Sequence, residues 1–186
     1  MSDPGTERRV AVHVCGSVAA YKACDVISAL RKLGCEVRVA MTSTASRFIT
    51  RATLQSLSGH PVLDDVWSEA SGQHGMGHIE LGAWARVHVV VAASANVIAR
   101  MAHGLADDAV TTVLLATRAP VLVAPAMETA MWEHAATRAN VETLRTRGVH
   151  VVGPVSGRLA SGASGAGRMA GATEVVEATL ALLIGS

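Results

Sequence analysis

Aromatic side chains are scarce in this sequence of 186 residues, which has three tryptophans, one tyrosine and one phenylalanine. Its core must therefore be filled by valine, alanine, leucine and isoleucine. Charged residues are also few, at 17%, while half of the chain is hydrophobic. This balance excludes wholesale disorder, which needs low hydrophobicity and high charge. The length favours a single domain that spans residues 1–186.

Several partners and compartments are disfavoured by what the chain lacks. A formal net charge of +1 gives no basic field, so we expect no nucleic-acid partner. No apolar run approaches the ~18 residues of a membrane span, and residues 1–8 lack the apolar core of a signal peptide, so we expect no membrane partner. The three cysteines, Cys15, Cys24 and Cys35, are an odd number in an apolar chain, which indicates reduced thiols in the cytoplasm.

Four common signatures of catalytic or cofactor sites are also missing. The sequence has neither C-x-x-C nor H-E-x-x-H spacing, so we expect no metal site. It has no G-x-S-x-G nucleophile elbow, which disfavours an α/β-hydrolase. The dinucleotide fingerprint G-x-G-x-x-G does not follow the first predicted strand.

What the chain does have is a regular alternation of short β-rich runs and longer helical stretches. Strands are predicted at residues 9–14, 36–41, 87–92, 120–124 and 149–152. Helices are predicted at residues 19–33, 44–57, 97–102, 107–116, 130–147 and 172–184. Several strands are valine-rich on both faces, as in a buried parallel sheet. The pattern therefore predicts an open, doubly wound α/β fold.

Two stretches interrupt the alternation. Residues 59–77 hold two aspartates and several glycines and are expected to form a surface excursion. Residues 153–169 are rich in Gly, Ser and Ala and are too long for a plain connector. Loops of that length in a compact domain are usually functional or disordered, so this stretch is either a lid or a flexible loop.

Ligands of a doubly wound sheet bind outside the carboxyl ends of its strands, so the segments after each strand are the candidate site. Gly16-Ser17-Val18 follows the first strand and leads into a helix, which suits either a plain turn or a phosphate site. Four hydroxyls, those of Thr42, Ser43, Thr44 and Ser46, follow the second strand. They are either helix caps or further phosphate donors.

The segments after the third and fourth strands carry small residues and further candidates for ligand binding. Ser94-Ala95-Asn96 follows the third strand, and a segment with Met127, Glu128 and Met131 follows the fourth. Small residues allow a flat ligand to approach the backbone, and an asparagine amide both donates and accepts hydrogen bonds. Among the histidines, His13 and His88 lie within strand patterns and are expected in the core. His78 is either structural or catalytic.

Five segments in a fixed order resemble the homo-oligomeric flavin-containing cysteine decarboxylases. They are Gly16-Ser17-Val18-Ala19-Ala20, Gly77-His78-Ile79-Glu80-Leu81, Ser94-Ala95-Asn96, Pro125-Ala126-Met127-x-x-x-Met131-Trp132 and Gly165-x-Gly167-Arg168-Met169. The resemblance implies a flavodoxin-like (Rossmann-type) fold, FMN as the cofactor, and self-association into trimers or dodecamers.

The resemblance also implies roles for individual residues. The FMN-binding residues would be Gly16, Ser17, Val18, Thr44, Ser46, Phe48, Ser94, Ala95, Asn96 and Ala126. His78 would be the catalytic base, a role that suits a side chain with a pKa near neutrality. The substrate-binding residues would be Glu128, Met131, Arg158, Leu159, Ala160, Ser161 and Met169. Five of these lie in a substrate flap predicted within residues 153–169.

Two positions depart from the family pattern. Ser161 stands where the coenzyme A enzymes carry a cysteine in a Leu-Ala-Cys-Gly context, and a serine cannot replace a thiol in the reductive step. Glu128 stands where the family usually has an asparagine that binds the substrate carboxylate, and an ionised glutamate repels a carboxylate. Glu128 is therefore protonated, or paired with a cation, or the substrate is held differently.

The missing thiol predicts that the reaction stops at its oxidised product. We therefore expect FMN-dependent oxidative decarboxylation of the C-terminal cysteine of a ribosomally made precursor peptide to an aminoenethiol, a step of natural-product biosynthesis. One alternative is the 4'-phosphopantothenoylcysteine decarboxylase of coenzyme A biosynthesis, with a small cysteine-containing substrate. A second alternative is a non-catalytic flavin-binding regulatory subunit.

The two decarboxylase hypotheses differ at the mouth of the substrate site. A phosphorylated substrate needs a basic cluster there, and the sequence does not place Arg47, Arg51, Arg158 and Arg168 relative to that mouth. Because the sequence ends at Ser186, no fused synthetase domain is expected.

Overall fold

Five parallel strands form the centre of the molecule. The computed structural model describes residues 8–67 and 76–185. The strands of this sheet are β1 (Arg9–Val14), β2 (Glu36–Met41), β3 (Val87–Ala93), β4 (Val121–Pro125) and β5 (His150–Val151). Their order across the sheet is β2-β1-β3-β4-β5, and every pair is parallel. The predicted doubly wound α/β fold is confirmed.

Helices cover both faces of this sheet. They are α1 (Lys22–Lys32), α2 (Arg51–Ser58), α3 (Gly77–Trp84), α4 (Ala95–His103), α5 (Ala109–Ala116), α6 (Thr129–Glu133), α7 (Ala135–Thr146) and α8 (Ala172–Gly185). Buried side chains of α1, α2 and α8 share one core cluster, and those of α3, α4, α5 and α7 share the other. Within residues 8–67 and 76–185, no helix is long and apolar enough to cross a membrane.

Valine takes the place of aromatic residues in the core. In β1, Val10, Val12 and Val14 face the first cluster, while Ala11 and the next residue after the strand, Cys15, face the second, and all five are fully buried. Both faces of a strand are covered when helices pack on both sides of a parallel sheet, so both rows of side chains must be apolar. Each buried valine contributes about 1.5–3 kcal/mol relative to exposure.

Two titratable side chains, one from β1 and one from β3, form a buried pair. The Nε2 atom of His13 lies 2.9 Å from the Nδ1 atom of His88, and the rings stack with their centroids 5.1 Å apart. Burial lowers the pKa of His88 to about 4, and burial together with His88 lowers the pKa of His13 well below its usual value. The prediction that both histidines belong to the core is confirmed.

Two predicted helices are each interrupted. Residues 44–57 form a short 3-10 helix, Ser43–Arg47, followed by α2, whose start is capped by Thr50 accepting a hydrogen bond from the Thr53 N–H. Residues 130–147 divide into α6 and α7 at His134, whose extended backbone and Nδ1 atom cap α7. In both places a polar side chain satisfies free backbone N–H groups and starts a new helix.

The two stretches expected to be loops contain regular structure. Val62 and Leu63 are buried, and Leu63 pairs in parallel with Ala40 beside β2. Helix α3 begins at Gly77, while residues 68–75 of the expected surface excursion lie outside the described residues.

Residues 153–169 are neither structureless nor helical. They contain β6 (Val155–Arg158) and β7 (Ser164–Arg168), which form an antiparallel hairpin. The alternation that identifies a strand is hidden here because most of these residues are Gly, Ser or Ala, and the hairpin is held by contacts with the segment after β4.

Candidate active site

A cavity of about 480 Å³ opens at the carboxyl ends of β1 and β4. Its floor comes from residues 17–22 after β1 and residues 126–128 after β4, and the hairpin of β6 and β7, here called the flap, covers it. It is lined by Ser17, Val18, Ala19, Tyr21, Lys22, Ala126, Met127, Glu128, Arg158, Leu159, Ala160, Gly167, Arg168 and Met169. The location agrees with the general rule for doubly wound sheets.

The cavity brings eight of the predicted site residues together. They are Ser17, Val18, Ala126, Glu128, Arg158, Leu159, Ala160 and Met169. The lining does not include the other ten predicted residues, which are Gly16, Thr44, Ser46, Phe48, His78, Ser94, Ala95, Asn96, Met131 and Ser161.

The turn after β1 is tied to both neighbouring strand ends. The hydroxyl of Ser17 accepts a hydrogen bond from the Ala19 N–H at 3.3 Å and lies 3.5 Å from the carbonyl oxygen of Ala126, to which it donates. A Cβ atom on Gly16 would lie 2.5 Å from Thr44 Oγ1, so only glycine permits this approach. The first and second strand ends therefore meet at Gly16.

The hydroxyls after β2 divide between capping and exposure. Thr42 is buried and caps the 3-10 helix by accepting a hydrogen bond from the Ala45 N–H, and its Oγ1 lies 3.1 Å from that of Thr44. Thr44 and Phe48 are exposed, as is Ser46, whose hydroxyl donates to the Ser43 carbonyl at 2.6 Å. Capping is thus done by Thr42, which leaves Thr44 beside Gly16 and accessible to a ligand.

A kink at the end of β3 aims the next segment toward the same edge. Ala92 is buried with a φ of +54°, and the register with β4 shifts between Val91 and Ala93. The Ala93 carbonyl accepts a hydrogen bond from the Ala126 N–H at 3.0 Å. Strained backbone of this kind is concentrated at functional sites. An alanine carries no sequence signal for it, and the predicted site residues do not include it.

Ser94 and Asn96 follow this kink at the start of α4. The Ser94 hydroxyl accepts a hydrogen bond from the Val97 N–H at 3.3 Å and so caps the helix. Asn96 is exposed, and Ala95 lies half-buried between them. An exposed amide on the first turn is free to bind a ligand that lies across the strand ends.

His78 lies apart from the cavity, on the first turn of α3. Its ring is half-buried, and its Nδ1 atom is buried with no hydrogen-bond partner among the described residues. Unlike His13 and His88, it is not enclosed by the sheet. Met131 of α6 is likewise outside the lining and is exposed.

Three cations line the cavity. The Lys22 ammonium group donates to the Met169 carbonyl at 3.1 Å, and burial, with a further contribution from Arg168, lowers the pKa of Lys22. Arg158 and Arg168 lie on the two strands of the flap. The lining contains one carboxylate, that of Glu128.

Lys22 and Arg168 are missing from the residues predicted by the resemblance. Lys22 falls within a predicted helix, where a basic residue is ordinarily a solvated surface group. The other two arginines considered for a basic cluster, Arg47 and Arg51, do not line the cavity. Arg51 instead pairs with Asp64 at 3.2 Å.

Glu128 and Ser161 contact each other across the edge of the cavity. The Ser161 hydroxyl donates to Glu128 Oε2 at 2.9 Å, and the Ser161 N–H donates to Oε1 at 3.4 Å. No ion pair to Glu128 is present within the described ranges, and its observed partner is Ser161.

None of the three cysteines supplies a thiol to the part of the cavity that the structure describes. Cys15 is fully buried in the second core cluster, and burial raises its pKa far above the usual range. Burial also raises the pKa values of Cys24 and Cys35.

Relatives of known sequence match nearly the whole chain. The profile of the family described as Flavoprotein matches residues 2–184. The coenzyme A biosynthesis bifunctional protein CoaBC of Mycobacterium tuberculosis (strain ATCC 25618 / H37Rv) is 47% identical over 177 residues, which are 95% of this chain and 41% of that protein. The chain therefore spans about two-fifths of the length of the curated relatives it matches.

Two solved structures are similar over almost their full length. One is a cysteine-to-serine mutant of PPC decarboxylase complexed with pantothenoylaminoethenethiol, with a TM-score of 0.83, 31% identity and coverage of 96% of this chain and 98% of that chain. The other is the FMN-dependent cysteine decarboxylase SpaF, with a TM-score of 0.82, 31% identity and the same coverage, 96% and 98%.

Proposed function

The chain belongs to the Flavoprotein family and, within it, to the FMN-dependent cysteine decarboxylases, and from this premise we propose that its substrate is 4'-phosphopantothenoylcysteine. From the sequence alone, a peptide ending in cysteine is the first expectation and this small molecule is the alternative. The curated CoaBC relatives, 45% and 47% identical to this chain, support the small molecule better.

The residues at the strand ends fit FMN. The close approach of Gly16 to Thr44 leaves a cradle that a Cβ atom would fill, with the Ser17 and Thr44 hydroxyls beside it. Hydroxyls next to backbone N–H groups suit a phosphate, and the small residues Ala93, Ala95 and Ala126 suit a flat ring. When bound, FMN supplies the two-electron oxidation that gives a cysteine carboxylate an electron sink for loss of carbon dioxide.

The observation that carries the choice of substrate is the cation cluster of Lys22, Arg158 and Arg168. Three cations and one carboxylate leave the lining with a net charge of +2 if all are ionised. A cavity of that sign favours a substrate that carries a phosphate and a carboxylate over a peptide end that carries a carboxylate alone. Guanidinium groups also bind phosphate oxygens in pairs.

We infer an enethiol as the product. With Ser161 in the flap and all three cysteines outside the cavity lining, this chain offers no thiol for a reductive step. The structurally similar PPC decarboxylase mutant also carries a serine for a cysteine and is complexed with pantothenoylaminoethenethiol. The substrate would then lose carbon dioxide and two hydrogens, and FMN, when bound, would supply this two-electron oxidation with oxygen as the final oxidant.

His78 is the proposed base that accepts the proton of the substrate thiol. Because His78 does not line the cavity of its own chain, we propose that the chain forms trimers or dodecamers, in which another copy can present α3. Exposed apolar side chains at Val18, Tyr21, Phe48 and Met131 support such contacts.

A peptide ending in cysteine is the second candidate substrate. The observation that favours it is Glu128, which stands where the family usually has a carboxylate-binding asparagine. Mass spectrometry of the flavin-loaded protein decides between the candidates, with three substrates: 4'-phosphopantothenoylcysteine, its form without the phosphate, and peptides ending in cysteine. We expect loss of carbon dioxide and two hydrogens from the phosphorylated compound, with at least tenfold lower kcat/KM for the other two.

The other outcomes have defined meanings. Turnover of peptides alone would establish the second candidate, and loss of carbon dioxide without hydrogen would disprove the enethiol product. Absence of product from all three, with FMN bound, would support a regulatory subunit.

The role of the cation cluster has its own control. Lys22→Gln is expected to raise KM for the phosphorylated substrate about tenfold, leaving KM for the unphosphorylated one nearly unchanged. Lys32→Gln, which changes the exposed last residue of α1, is the matched control. Equal effects on both substrates would remove the argument for phosphate binding.

A further inference from the structure

Among the described residues, the hydrogen bonds that link the tip of the flap, residues 159–163, to the rest of the chain all go to one side chain, that of Glu128. Ser161 donates from its hydroxyl to Glu128 Oε2 at 2.9 Å and from its N–H to Oε1 at 3.4 Å. The other hydrogen bonds of residues 159–163 in the described part of the chain stay within the tip. Both carboxylate oxygens of Glu128 are therefore engaged by one flap residue.

The segment 127–129 contacts the flap at three levels. At the base, the Met127 N–H donates to the Gly167 carbonyl at 3.0 Å. In the middle, Gly165 lies so close to Thr129 that an added Cβ atom would come within 2.3 Å of its Oγ1. At the tip, Glu128 holds Ser161. The base and middle contacts depend on backbone and close packing, and only the tip contact depends on polar side chains.

We propose that Glu128 is a positioning residue that closes the flap through Ser161, and that the anionic groups of the substrate are held by Lys22, Arg158 and Arg168 instead. The closure follows from the geometry alone, whereas the assignment of the anion to the cations rests on the proposed function. Both oxygens of the Glu128 carboxyl group accept hydrogen bonds, so this one side chain holds the hydroxyl and the N–H of Ser161 together.

The pairing also explains why two departures from the family pattern occur together. A hydroxyl donates well to a carboxylate, whereas a thiol is a weak donor, and a carboxylate beside it raises the pKa of the thiol. A glutamate at position 128 therefore suits a serine at position 161.

Hydrogen exchange measured by mass spectrometry tests the closure without any substrate. In the purified full-length protein, Ser161→Ala and Glu128→Ala are each expected to speed amide exchange in residues 159–163 at least threefold. The double variant should exchange no faster than either single variant, because both remove the same contact. Ser164→Ala, on the same hairpin and with no hydrogen bond to Glu128, is the matched control and should leave exchange unchanged.

Each result has one meaning. Unchanged exchange in either single variant, or multiplied effects in the double variant, would overturn the closure. Faster exchange over the whole chain would show misfolding, in which case Ser161→Thr, which keeps the hydroxyl, must restore the slow exchange for the proposal to stand.

Kinetics test the positioning role with whichever substrate is turned over. Ser161→Ala is expected to raise KM at least fivefold and to lower kcat less than twofold, because closure retains substrate without taking part in the chemistry. A loss confined to kcat would overturn the role. If only peptides are turned over, the exchange and KM results still support closure of the flap. Only the assignment of a phosphate to the cations is then disproved.

Discussion

The floor and the flap of the cavity are built in opposite ways. The floor continues from β1 and β4, whose inner residues are buried, and the turn at Gly16 that precedes it is crowded by Thr44. The flap is a two-stranded hairpin of small residues, and around Gly162 at its tip nothing lies within 4 Å of an added Cβ atom. Two-stranded hairpins are marginally stable alone, so the flap depends on its contacts.

This difference separates two tasks within one site. The crowded turn at Gly16 suits the fixed position that the proposed FMN cofactor requires. A flap attached through its base and one polar tip contact is suited to admit and release the proposed substrate. These two regions differ in packing density more than in composition.

The largest expected effect is on kcat, and it concerns His78, which belongs to neither the floor nor the flap. His78→Ala should lower kcat by at least about 100-fold, the usual range for loss of a general base, while FMN absorbance at saturation is retained. His134→Ala, an exposed histidine at the start of α7, is the control and should keep full activity. Full activity of the His78 variant would mean that a group on one of the walls performs the proton transfer.

Adding a side chain to the crowded turn at Gly16 should weaken the binding of FMN. Gly16→Ala places a Cβ atom 2.5 Å from Thr44 Oγ1 and 2.7 Å from its Cβ, so the two turns must separate. We expect the affinity for FMN, measured by fluorescence titration, to fall on the order of 100-fold, equivalent to about 2.7 kcal/mol. In α3, Gly82→Ala has ordinary contacts of 3.6 Å and is the matched control. Unchanged FMN binding would show that this turn is not part of the cofactor site.

Acid should weaken the sheet beneath the floor. Because the pKa values of His13 and His88 are lowered in the folded state, the unfolded chain binds protons more readily below its ordinary histidine pKa of 6.5. The free energy of unfolding is therefore full above about pH 6.5 and falls as the pH decreases toward 4. We expect His88 alone to cost about 2 kcal/mol between pH 7 and pH 5 in denaturant titrations, with a further loss of the same sign from His13.

The control for this effect is His88→Gln, which should flatten the dependence on pH. An equal dependence in that variant would assign the effect to other groups. Exchange at the flap tip, corrected for the intrinsic effect of pH, should stay unchanged in the same range.

The smallest effect is expected at the open end of the flap. Gly162 has a φ of +91°, and an alanine there meets no neighbour within 4 Å, so its only cost is backbone strain of about 1 kcal/mol. Gly162→Ala should speed amide exchange at the tip about fivefold, while the global unfolding midpoint remains unchanged because the flap opens locally. A fall in the global midpoint would show that the flap folds as one unit with the sheet.

Strand prediction succeeded where the chain is uniformly buried. The predicted bounds of β1 and β2 are those observed, since valine-rich runs ended by glycine or hydroxyl residues have few alternative structures. Helix prediction was wrong at Thr50 and His134, where a capping side chain starts a new helix within a continuous pattern. The flap was not predicted as a hairpin, because contacts with residues 127–129 stabilise it.

The sequence by itself determined the doubly wound fold and the chemistry available at the strand ends. Alternating apolar runs specify buried strands, and the glycine and hydroxyls after β1 and β2 lie at the edge where parallel strands end. The tertiary structure decided which charges face one another. Lys22 reaches the Met169 carbonyl across 147 positions, and Ser161 reaches Glu128 across 33. Such contacts follow from how elements pack and from no local pattern, so the cation cluster and the closure of the flap could be identified only in the folded chain.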